Sequence, residues 1–228
     1  SYVKATSTED AVGHVATGGQ LLAGGMTLLP TMKQRLASPE SLVDLADCGL
    51  AGIEDTGDAI KIGAMTRHVD VANSPVVQSA IPGLAALAGG IGDRQVRNRG
   101  TIGGSVANND PSACYPSAVL GLGATVHTNK RDIGADDFFT GMFETALDEG
   151  EMITAISFPK PDKAAYVKFP NPASRYAMVG VFVASGGQGT RVAVTGAGSD
   201  GVFRHAAMES ALDGSFGADA LDGIGTDA

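Results

Sequence analysis

Short apolar runs alternate with a glycine-rich turn in the first fifty residues of the chain. Residues 20–23 predict a strand that leads directly into Gly24-Gly25. The apolar residues of 27–36 recur at helical spacing and predict a helix after this turn. Residues 42–45 predict a second strand. The order of strand, glycine turn, helix and strand predicts a small α/β unit over residues 1–57.

The same patterns continue through residues 58–160 and predict a second α/β unit. Strands are predicted at 59–63, 124–128 and 152–158, and helices at 82–87 and 116–122, with Thr66 capping a further helix. Residues 89–110, which are rich in Gly, Arg and Asn, predict a long irregular loop. Apolar residues interrupt this loop, which favours an ordered and functional segment over a disordered one.

From residue 161 onward the pattern changes to strands without helices between them. Residues 165–169, 177–184 and 191–195 predict strands, and residues 206–212 predict a last helix. These elements predict a C-terminal α+β domain over residues 161–228. The fold class predicted for the whole chain is α+β, with two small α/β units followed by an antiparallel sheet with helices.

Composition and charge narrow the class of protein. Hydrophobic residues make up 43% of the 228 residues and charged residues 18%, which favours a globular core over disorder. The formal net charge of −9 argues against a nucleic-acid binder, which usually carries the opposite charge. Cys48 and Cys114 share no motif and predict neither a disulfide framework nor a metal site. Because no apolar stretch is long enough for a membrane span and no signal peptide opens the sequence, a cytoplasmic location is expected.

Two glycine-rich loops carry the candidate chemistry. The first, residues 22–29, lies between a strand and a helix, and the second, residues 101–105, adds the hydroxyls of Thr101 and Ser105. Glycines let a backbone approach a phosphate closely, and free N–H groups at a helix start donate hydrogen bonds to it. Each loop alone is equally well explained as an ordinary turn. Together they predict a diphosphate that is held from both sides by backbone N–H groups rather than by lysines.

Other candidate sites carry weaker signals. Residues 196–201 match the dinucleotide pattern GxGxxG, but the strand-like residues 202–204 follow them where a helix is required, so we interpret the match as a strand connection. Arg94, Arg97 and Arg99 form a basic cluster that suits either ligand phosphates or a solvated or partner-facing surface. The four histidines are isolated from one another, which favours packing or surface roles over metal binding. The acidic residues considered for an acid–base pair are Asp110, Asp136, Asp137 and Glu144, and no catalytic residue is predicted among them.

The two loops and the residues around them resemble one known family. The matching segments are AGG at 23–25, LLP at 28–30, QVRNRGTIGG at 95–104, DP at 110–111, AAYVKF at 164–169 and ASRY at 173–176. In this order and separation they resemble the FAD-binding medium subunit of molybdenum hydroxylases, the family of xanthine dehydrogenase and carbon monoxide dehydrogenase. The resemblance extends over essentially the whole chain, and the paired loops are its most specific part. It implies the PCMH-type FAD-binding fold, which is shared with vanillyl-alcohol oxidase-type proteins.

The resemblance implies a noncovalently bound FAD, since no histidine lies in either loop. Contacts to the pyrophosphate are implied for Leu22, Ala23, Gly24, Gly25, Met26, Thr27, Leu28 and Leu29 in the first loop and for Thr101, Gly103, Gly104 and Ser105 in the second. Further contacts are implied for Ile91 at the adenine end, Asn109 and Asp110 at the flavin nucleotide, Ile153 at the isoalloxazine and Lys168 near the flavin ring.

The sequence departs from the family pattern in two places. Cys114 stands where many relatives carry an aspartate that contacts ribityl or ribose hydroxyls. The sequence also ends before the final helical segment that is expected of the family. The other matching segments occur in the order that the family shows.

The role that the resemblance implies is electron transfer. In this family a large subunit holds a molybdopterin cofactor, a small subunit carries two [2Fe–2S] clusters, and the flavin subunit passes electrons from a cluster to an external acceptor. The implied partners are these two subunits, in a dimer of heterotrimers that associates with a membrane only through the complex. Two alternatives stay open, namely a self-sufficient flavin oxidase or dehydrogenase of the same fold and a nonenzymatic nucleotide-binding assembly module. The substrate and the acceptor, a quinone, NAD or another molecule, do not follow from this sequence.

Overall fold

Three short parallel strands form the N-terminal sheet of the protein, whose computed structural model describes residues 1–226. The elements of this unit are β1 (Tyr2–Lys4), α1 (Thr8–Val15), β2 (Gly19–Leu22), α2 (Leu28–Lys33) and β3 (Ser41–Asp44). The strands lie in the order β1-β3-β2, and both pairs are parallel. Val43 packs with Ala11 and Leu45 in a small core of its own. The predicted order of strand, glycine turn, helix and strand is confirmed, and β1 is an addition that the sequence did not predict.

The second sheet is antiparallel throughout. Its strands and the adjoining hairpin are β4 (Ile53–Asp55), β5 (Ala59–Gly63), β6 (Thr125–Thr128), β7 (Asp132–Gly134), β8 (Phe139–Gly141), β9 (Glu144–Thr145) and β10 (Ile153–Pro159). The order is β4-β5-β10-β6-β7, and β8 pairs with β9 in a separate hairpin. An α/β unit was predicted here, but strand patterns do not reveal strand direction. The pairs β4-β5, β5-β10, β10-β6 and β6-β7 are all antiparallel. The first strand of this sheet, β4, lies before residue 58, where the second unit was predicted to begin. The domain ranges 1–57, 58–160 and 161–228 stay predictions.

Seven helices accompany this sheet in the described part of the chain. They are α3 (His68–Asn73), α4 (Pro75–Ala80), α5 (Pro82–Gly89), α6 (Arg94–Arg99), α7 (Ile102–Asn108), α8 (Tyr115–Gly121) and α9 (Ala135–Phe138). The predicted helices at 82–87 and 116–122 are confirmed as α5 and α8. Pro82 lies at the first turn of α5, where its missing N–H costs nothing.

The long loop predicted at residues 89–110 is wrong, because α6 and α7 lie within it. Asp93 Oδ1 accepts a hydrogen bond from the Val96 N–H at 2.8 Å, and Thr101 Oγ1 accepts one from the Gly104 N–H at 3.2 Å. Each short helix therefore has a side-chain cap. Helices of six and seven residues are too short to show a helical pattern of apolar residues in the sequence. Gly and Asn are also weak helix formers.

Thr66 does not cap a helix as the sequence predicted. Its hydroxyl donates to the carbonyl oxygen of Gly52 and accepts from the Gly52 N–H, both at 3.0 Å. The residue before α3 is Arg67, which makes no side-chain cap. Thr66 therefore fixes the loop between β3 and β4 instead of the start of α3.

The C-terminal sheet is antiparallel, as predicted. Its elements are β11 (Lys163–Pro170), β12 (Ala177–Gly186), β13 (Gly189–Thr195), β14 (Phe203–Arg204), α10 (Ala206–Gly214) and a 3₁₀ turn (Ala218–Leu221). Phe182 of β12 is fully buried, and a Cβ on Gly121 would lie 2.8 Å from its ring, so α8 packs directly on this sheet. Residues 196–201 connect β13 to β14, which confirms that their GxGxxG match is a strand connection.

One large core joins the second and third sheets. It includes Ile60 and Ile156 of the second sheet, Leu84 of α5, Tyr115 of α8 and Phe182 of the third sheet. Both Cys48 and Cys114 are free thiols. Among the helices that the structure describes, none has the length and apolar character needed to cross a membrane.

A buried carboxylate ties the turn between β6 and β7 to the segment before β10. The Glu151 side chain is inaccessible to solvent and accepts hydrogen bonds from Arg131 at 3.1 Å, from Thr128 at 2.7 Å and from the Asp148 N–H at 2.9 Å. The hydrogen bonds from Arg131, aided by those from Asp148 and Thr128, outweigh burial and lower the pKa of Glu151 to about 2. The carboxylate is therefore charged in the folded protein at neutral pH.

We expect Glu151→Gln to lower the free energy of unfolding by about 1.5–3 kcal/mol near neutral pH, the range for a hydrogen bond to a charged group. The folded pKa of about 2 lies below the ordinary value of 4.5. The carboxylate therefore stabilises the fold fully above the unfolded pKa, and this contribution is lost as the pH falls from 4.5 towards 2. Urea unfolding at neutral and acidic pH measures the difference, with the exposed Glu54→Gln as control. A difference that does not change with pH would contradict the ion pair.

Candidate functional site

A cleft of about 1150 Å³ takes its wall from all three sheets and their connections. Small-molecule sites usually measure about 300–1,000 Å³, so this cleft suits a large ligand. The wall includes these residues of the predicted site: Ala23, Gly24, Gly25, Met26, Thr27, Leu28, Ile91, Thr101, Gly103, Gly104, Ser105, Asp110, Ile153 and Lys168. Leu22, Leu29 and Asn109, which the resemblance also implied, do not line it.

The two predicted loops meet on one side of the cleft. A Cβ on Gly24 would overlap the carbonyl oxygen of Arg99 and lie 2.9 Å from the Cα of Gly100. A Cβ on Gly104 would lie 3.5 Å from the Cβ of Ala23. Backbone therefore lies on backbone where the loops cross, and only glycine fits at position 24.

The first loop presents a row of unpaired backbone donors. Within residues 1–226, no protein acceptor pairs with the N–H groups of Gly24, Gly25, Met26 or Thr27. Gly25 has a φ of 72°, a left-handed conformation that favours glycine and turns the chain into α2. Consecutive free N–H groups in such a turn form a concave site for an anion.

The second loop does not present free donors in the way that the sequence predicted. The Gly103 N–H donates to the Ala64 carbonyl at 2.9 Å, and the Ser105 N–H donates to the Thr101 carbonyl at 3.0 Å. The Gly104 N–H is taken by the cap hydroxyl of Thr101 at 3.2 Å. The start of α7 is thus bound internally, and this loop contributes its closely packed glycines and the Ser105 hydroxyl to the wall.

His68 lies under the second loop and lines the cleft, a position that the sequence did not assign to the site. A Cβ on Gly100 would lie 2.5 Å from Nε2 of His68, and the imidazole packs on the Tyr115 ring with centroids 5.2 Å apart. Burial, together with the charge of Arg97, lowers the pKa of His68 to about 4, so the ring is neutral near neutral pH. The packing role that the sequence predicted for the histidines is confirmed for His68. No local sequence pattern indicated that this histidine lies at the cleft.

Lys168 reaches the cleft from β11, but the protein already engages its ammonium group. Nζ donates to the carbonyl oxygens of Gly90 at 2.7 Å and Arg175 at 3.0 Å, and lies 3.6 Å from Sγ of Cys114. These contacts use all three N–H donors of an ammonium. Lys168 therefore fastens the turn at Arg175 to the end of α5, and Cys114 places a thiol where the family aspartate was expected.

Asn109 belongs to the frame of the site rather than to its wall. It ends α7 with a φ of 42°, and its side-chain amide donates to the carbonyl oxygens of Gly141 and Glu144, both at 2.8 Å. The backbone carbonyl oxygen of Asn109 accepts a hydrogen bond from the Phe143 N–H at 3.1 Å. Asn109 thus holds the β8–β9 hairpin, while the neighbouring Asp110 lines the cleft.

The charged candidates are separated by the fold. Of the four acidic residues considered, Asp110 lines the cleft, while Asp136 pairs with Arg191 and Arg204 elsewhere. Within residues 1–226, no group of three or more His, Cys, Asp or Glu side chains could hold a metal ion. The wall also includes residues that the sequence analysis did not assign to the site, among them Met65, Met152, Glu151 and Tyr176.

A large cleft with a glycine turn that presents free N–H groups defines a protein that binds a phosphate-bearing cofactor. The chain belongs to the family described as FAD binding domain in molybdopterin dehydrogenase, whose match extends over residues 1–161. It is an FAD-binding medium subunit of the molybdenum hydroxylase family and therefore an FAD-dependent oxidoreductase subunit. The cofactor, family and fold class implied by the resemblance are confirmed.

Relatives and solved structures agree with this assignment. The chain is 36% identical to the nicotine 6-hydroxylase medium subunit of Paenarthrobacter nicotinovorans, over 80% of this chain and 67% of the relative. It is 41% identical to the carbon monoxide dehydrogenase medium chain of Hydrogenophaga pseudoflava, over 65% of this chain and 53% of the relative. A carbon monoxide dehydrogenase structure from H. pseudoflava, lacking the Mo-pyranopterin moiety, matches with a TM-score of 0.89 at 36% identity, over 96% of this chain and 82% of that chain.

We expect Gly24→Ala to lower the free energy of unfolding by about 1–3 kcal/mol, because the backbone of Arg99 cannot move aside as a flexible side chain does. Gly13 in α1 has nothing within 4 Å of an added Cβ. Gly13→Ala should therefore raise the free energy of unfolding by about 0.5–1 kcal/mol. Urea unfolding of both variants tests the contact, and equal effects at the two positions would contradict it.

Proposed function

We propose that this chain is the electron-transfer subunit of a molybdenum hydroxylase complex. It takes electrons from [2Fe–2S] clusters on a small subunit and passes them to an external acceptor, while a large molybdopterin subunit oxidises the substrate. The support is that the relatives include a nicotine 6-hydroxylase medium subunit, a glyceraldehyde dehydrogenase medium chain and a carbon monoxide dehydrogenase medium chain. Each name describes one chain of a larger enzyme. A dimer of heterotrimers is part of the proposal.

The structural observation that carries the proposal bears on its first requirement, a bound FAD. It is the row of free N–H groups from Gly24 to Thr27. A pyrophosphate needs several donors, and backbone N–H groups satisfy it without adding charged side chains. The row faces a cleft large enough for a dinucleotide. The residues present therefore fit FAD, with the pyrophosphate on the first loop and the Ser105 hydroxyl beside it on the second loop.

The remaining contacts of the flavin nucleotide are part of the same proposal. Ile91 lies against the adenine end, Asp110 contacts the nucleotide, and Ile153 at the start of β10 approaches the isoalloxazine. Leu22, Leu29 and Asn109 support the wall from behind it. Lys168 does not contact the flavin ring directly in this proposal. Its ammonium group holds the turn at Arg175, which lies near the ring.

The bound flavin supplies the redox chemistry, and the residues of this chain bind, orient and shield it. Two titratable side chains of the wall have strongly lowered pKa values, and each has a structural partner. His68 is neutral and packed on Tyr115, and the Glu151 carboxylate is held by Arg131. Neither side chain is poised to exchange a proton with a substrate, which supports a subunit that handles electrons rather than substrate.

We expect Gly25→Ala to weaken FAD binding about tenfold or more, because a Cβ at a φ of 72° strains the turn that aims the free N–H groups. Riboflavin, which lacks the pyrophosphate, should bind the variant and the wild type equally. Flavin fluorescence titration measures both affinities. The matched control is Gly49→Ala, where φ is 69° and nothing lies within 4 Å of the added Cβ. Equal losses of FAD and riboflavin affinity would contradict a pyrophosphate site at this loop.

The electron-transfer role is tested by following the flavin absorbance under anaerobic conditions. The FAD-loaded chain alone should keep its oxidised spectrum when substrates named for its relatives are added, because the substrate site lies on another subunit. Addition of the purified large and small subunits should then bleach the flavin with the correct substrate. Bleaching of the isolated chain would favour a self-sufficient oxidase, and a purified chain without flavin affinity would favour an assembly module.

A further inference from the structure

The second sheet has an outer face, turned away from the large core, that carries polar side chains from neighbouring strands. Buried residues such as Ile156 and Val126 point from these strands into the core. Because side chains alternate between the two faces of a strand, Ser157, His127 and Asp132 lie on the outer face. None of these three residues lines the cleft. The outer face is therefore separate from the cofactor site.

The three side chains form one hydrogen-bonded chain. Nδ1 of His127 lies 2.7 Å from Oδ1 of Asp132, and Nε2 of His127 lies 2.7 Å from Oγ of Ser157. An ionised carboxylate only accepts hydrogen bonds, so Nδ1 carries the proton of the neutral imidazole. Nε2 then accepts a hydrogen bond from the Ser157 hydroxyl. The serine is thus paired with a base, and a carboxylate orients that base, which is the arrangement of an activated nucleophile.

The register of the sheet produces this arrangement. His127 lies directly opposite Asp132 in the β6–β7 pair, and Ser157 lies opposite Thr125, two residues along β6 from His127. Directly opposed and diagonal residues on one face of an antiparallel pair are close enough for their side chains to interact. The three residues belong to three adjacent strands. The sheet therefore holds their geometry, and no loop has to close to assemble it.

A lysine lies beside the serine on the next strand of the sheet. Lys61 of β5 is directly opposite Ser157 and is exposed. Among the salt bridges of residues 1–226, none includes Lys61. The Cβ atoms of directly opposed residues are about 4.5–5.5 Å apart, a distance that a lysine side chain spans. Its ammonium group is therefore placed to stabilise negative charge that develops on an oxygen next to Ser157.

We propose that Ser157, His127 and Asp132 form an acyl-accepting site that reacts with small activated esters. The Ser157 oxygen forms a bond to the carbonyl carbon of the ester while its proton passes to Nε2 of His127. The bond from that carbon to the leaving oxygen breaks, and His127 gives the proton to the leaving alkoxide. Water then attacks the acyl-serine in the same way, which releases the acid and restores the hydroxyl.

The position of the site defines the substrate class. The three residues lie on a sheet face outside the cleft, where a large substrate would gain little burial. His127 has 23% of its side chain exposed, so small molecules in solvent reach the base. The site therefore suits a small ester with a good leaving group. No electron is exchanged with the flavin, and this activity is separate from the redox role.

The test treats the full FAD-loaded chain with an alkyl phosphonofluoridate and locates the label by peptide mass spectrometry. Ser157 displaces fluoride and passes its proton to His127. The matched control is Ser185, which is also half-buried in a strand and directly opposite a lysine, Lys163. The histidine rings with hydrogen bonds in residues 1–226 bond other residues. Ser157 should react about a hundredfold faster than Ser185, the lower end of what a positioned general base contributes. Equal reaction of the two serines would overturn the proposal.

Three variants identify the base and its orienting group. His127→Gln keeps an amide beside Ser157 but removes the base, and it should slow labelling of Ser157 about a hundredfold. Asp132→Asn should slow it by a smaller factor, because Asp132 is 66% exposed and water replaces part of its effect. Release of nitrophenolate from p-nitrophenyl acetate should fall in both variants and in Ser157→Ala. Unchanged labelling of Ser157 in His127→Gln would assign its reactivity to Lys61 and overturn the role of His127.

Flavin absorbance and the thermal midpoint show whether each variant is folded. If a variant unfolds, the comparison of Ser157 with Ser185 in the wild-type chain still decides the proposal. The test needs no partner subunit. Its result is therefore independent of the electron-transfer role, and either proposal can fail while the other stands.

Discussion

The close contact between the backbone of Gly24 and that of Arg99 and Gly100 is the constraint on which the cleft depends. It joins a turn of the small parallel sheet to the segment that leads into α7, with no side chain between them. The two segments are far apart in sequence, and the N-terminal sheet has a core separate from the one that the other two sheets share. Because hydrophobic packing is not directional, it does not by itself set the spacing of two loops. A backbone contact that excludes any Cβ sets this spacing within narrow limits.

The two glycine loops look alike in sequence but have different physical roles. The second loop is saturated by its own cap and by the strand end near Ala64, so it is a rigid surface. The first loop leaves its N–H groups unpaired, which is costly unless water or a ligand pairs them. An anion with several acceptor oxygens relieves this cost. In the proposed site a cofactor pyrophosphate would complete the hydrogen bonding of the first loop, while the second loop would supply a rigid surface beside it.

The sequence was most informative where local patterns are strong. The glycine turn between β2 and α2 and the antiparallel strands from β11 to β13 follow from apolar runs and alternation. The helices α6 and α7 were missed because their caps, Asp93 and Thr101, begin helices of only six and seven residues. The direction of the second sheet was also missed, since pairing partners such as Ile62 and Ile156 are distant in the chain.

Within the site, most of the residues that the family resemblance implied line the cleft, but the resemblance did not separate contact from support. The amide of Asn109 is used by Gly141 and Glu144, and the ammonium of Lys168 by Gly90 and Arg175. These bonds join segments that no spacing rule brings together. His68 shows the converse case, because an isolated histidine gave no signal and yet it lies under the second loop.

Asn109 also bears on how a cofactor enters and leaves. α7 is fastened at its start to the carbonyl oxygens of Thr66 and Ala64 and at its end, through Asn109, to the β8–β9 hairpin. The N-terminal unit, in contrast, is built on a small core around Val43. Local opening follows the least stable unit of a fold. We therefore expect local opening of the fold to begin in the N-terminal unit, which would separate the first loop from the second before α7 itself is released.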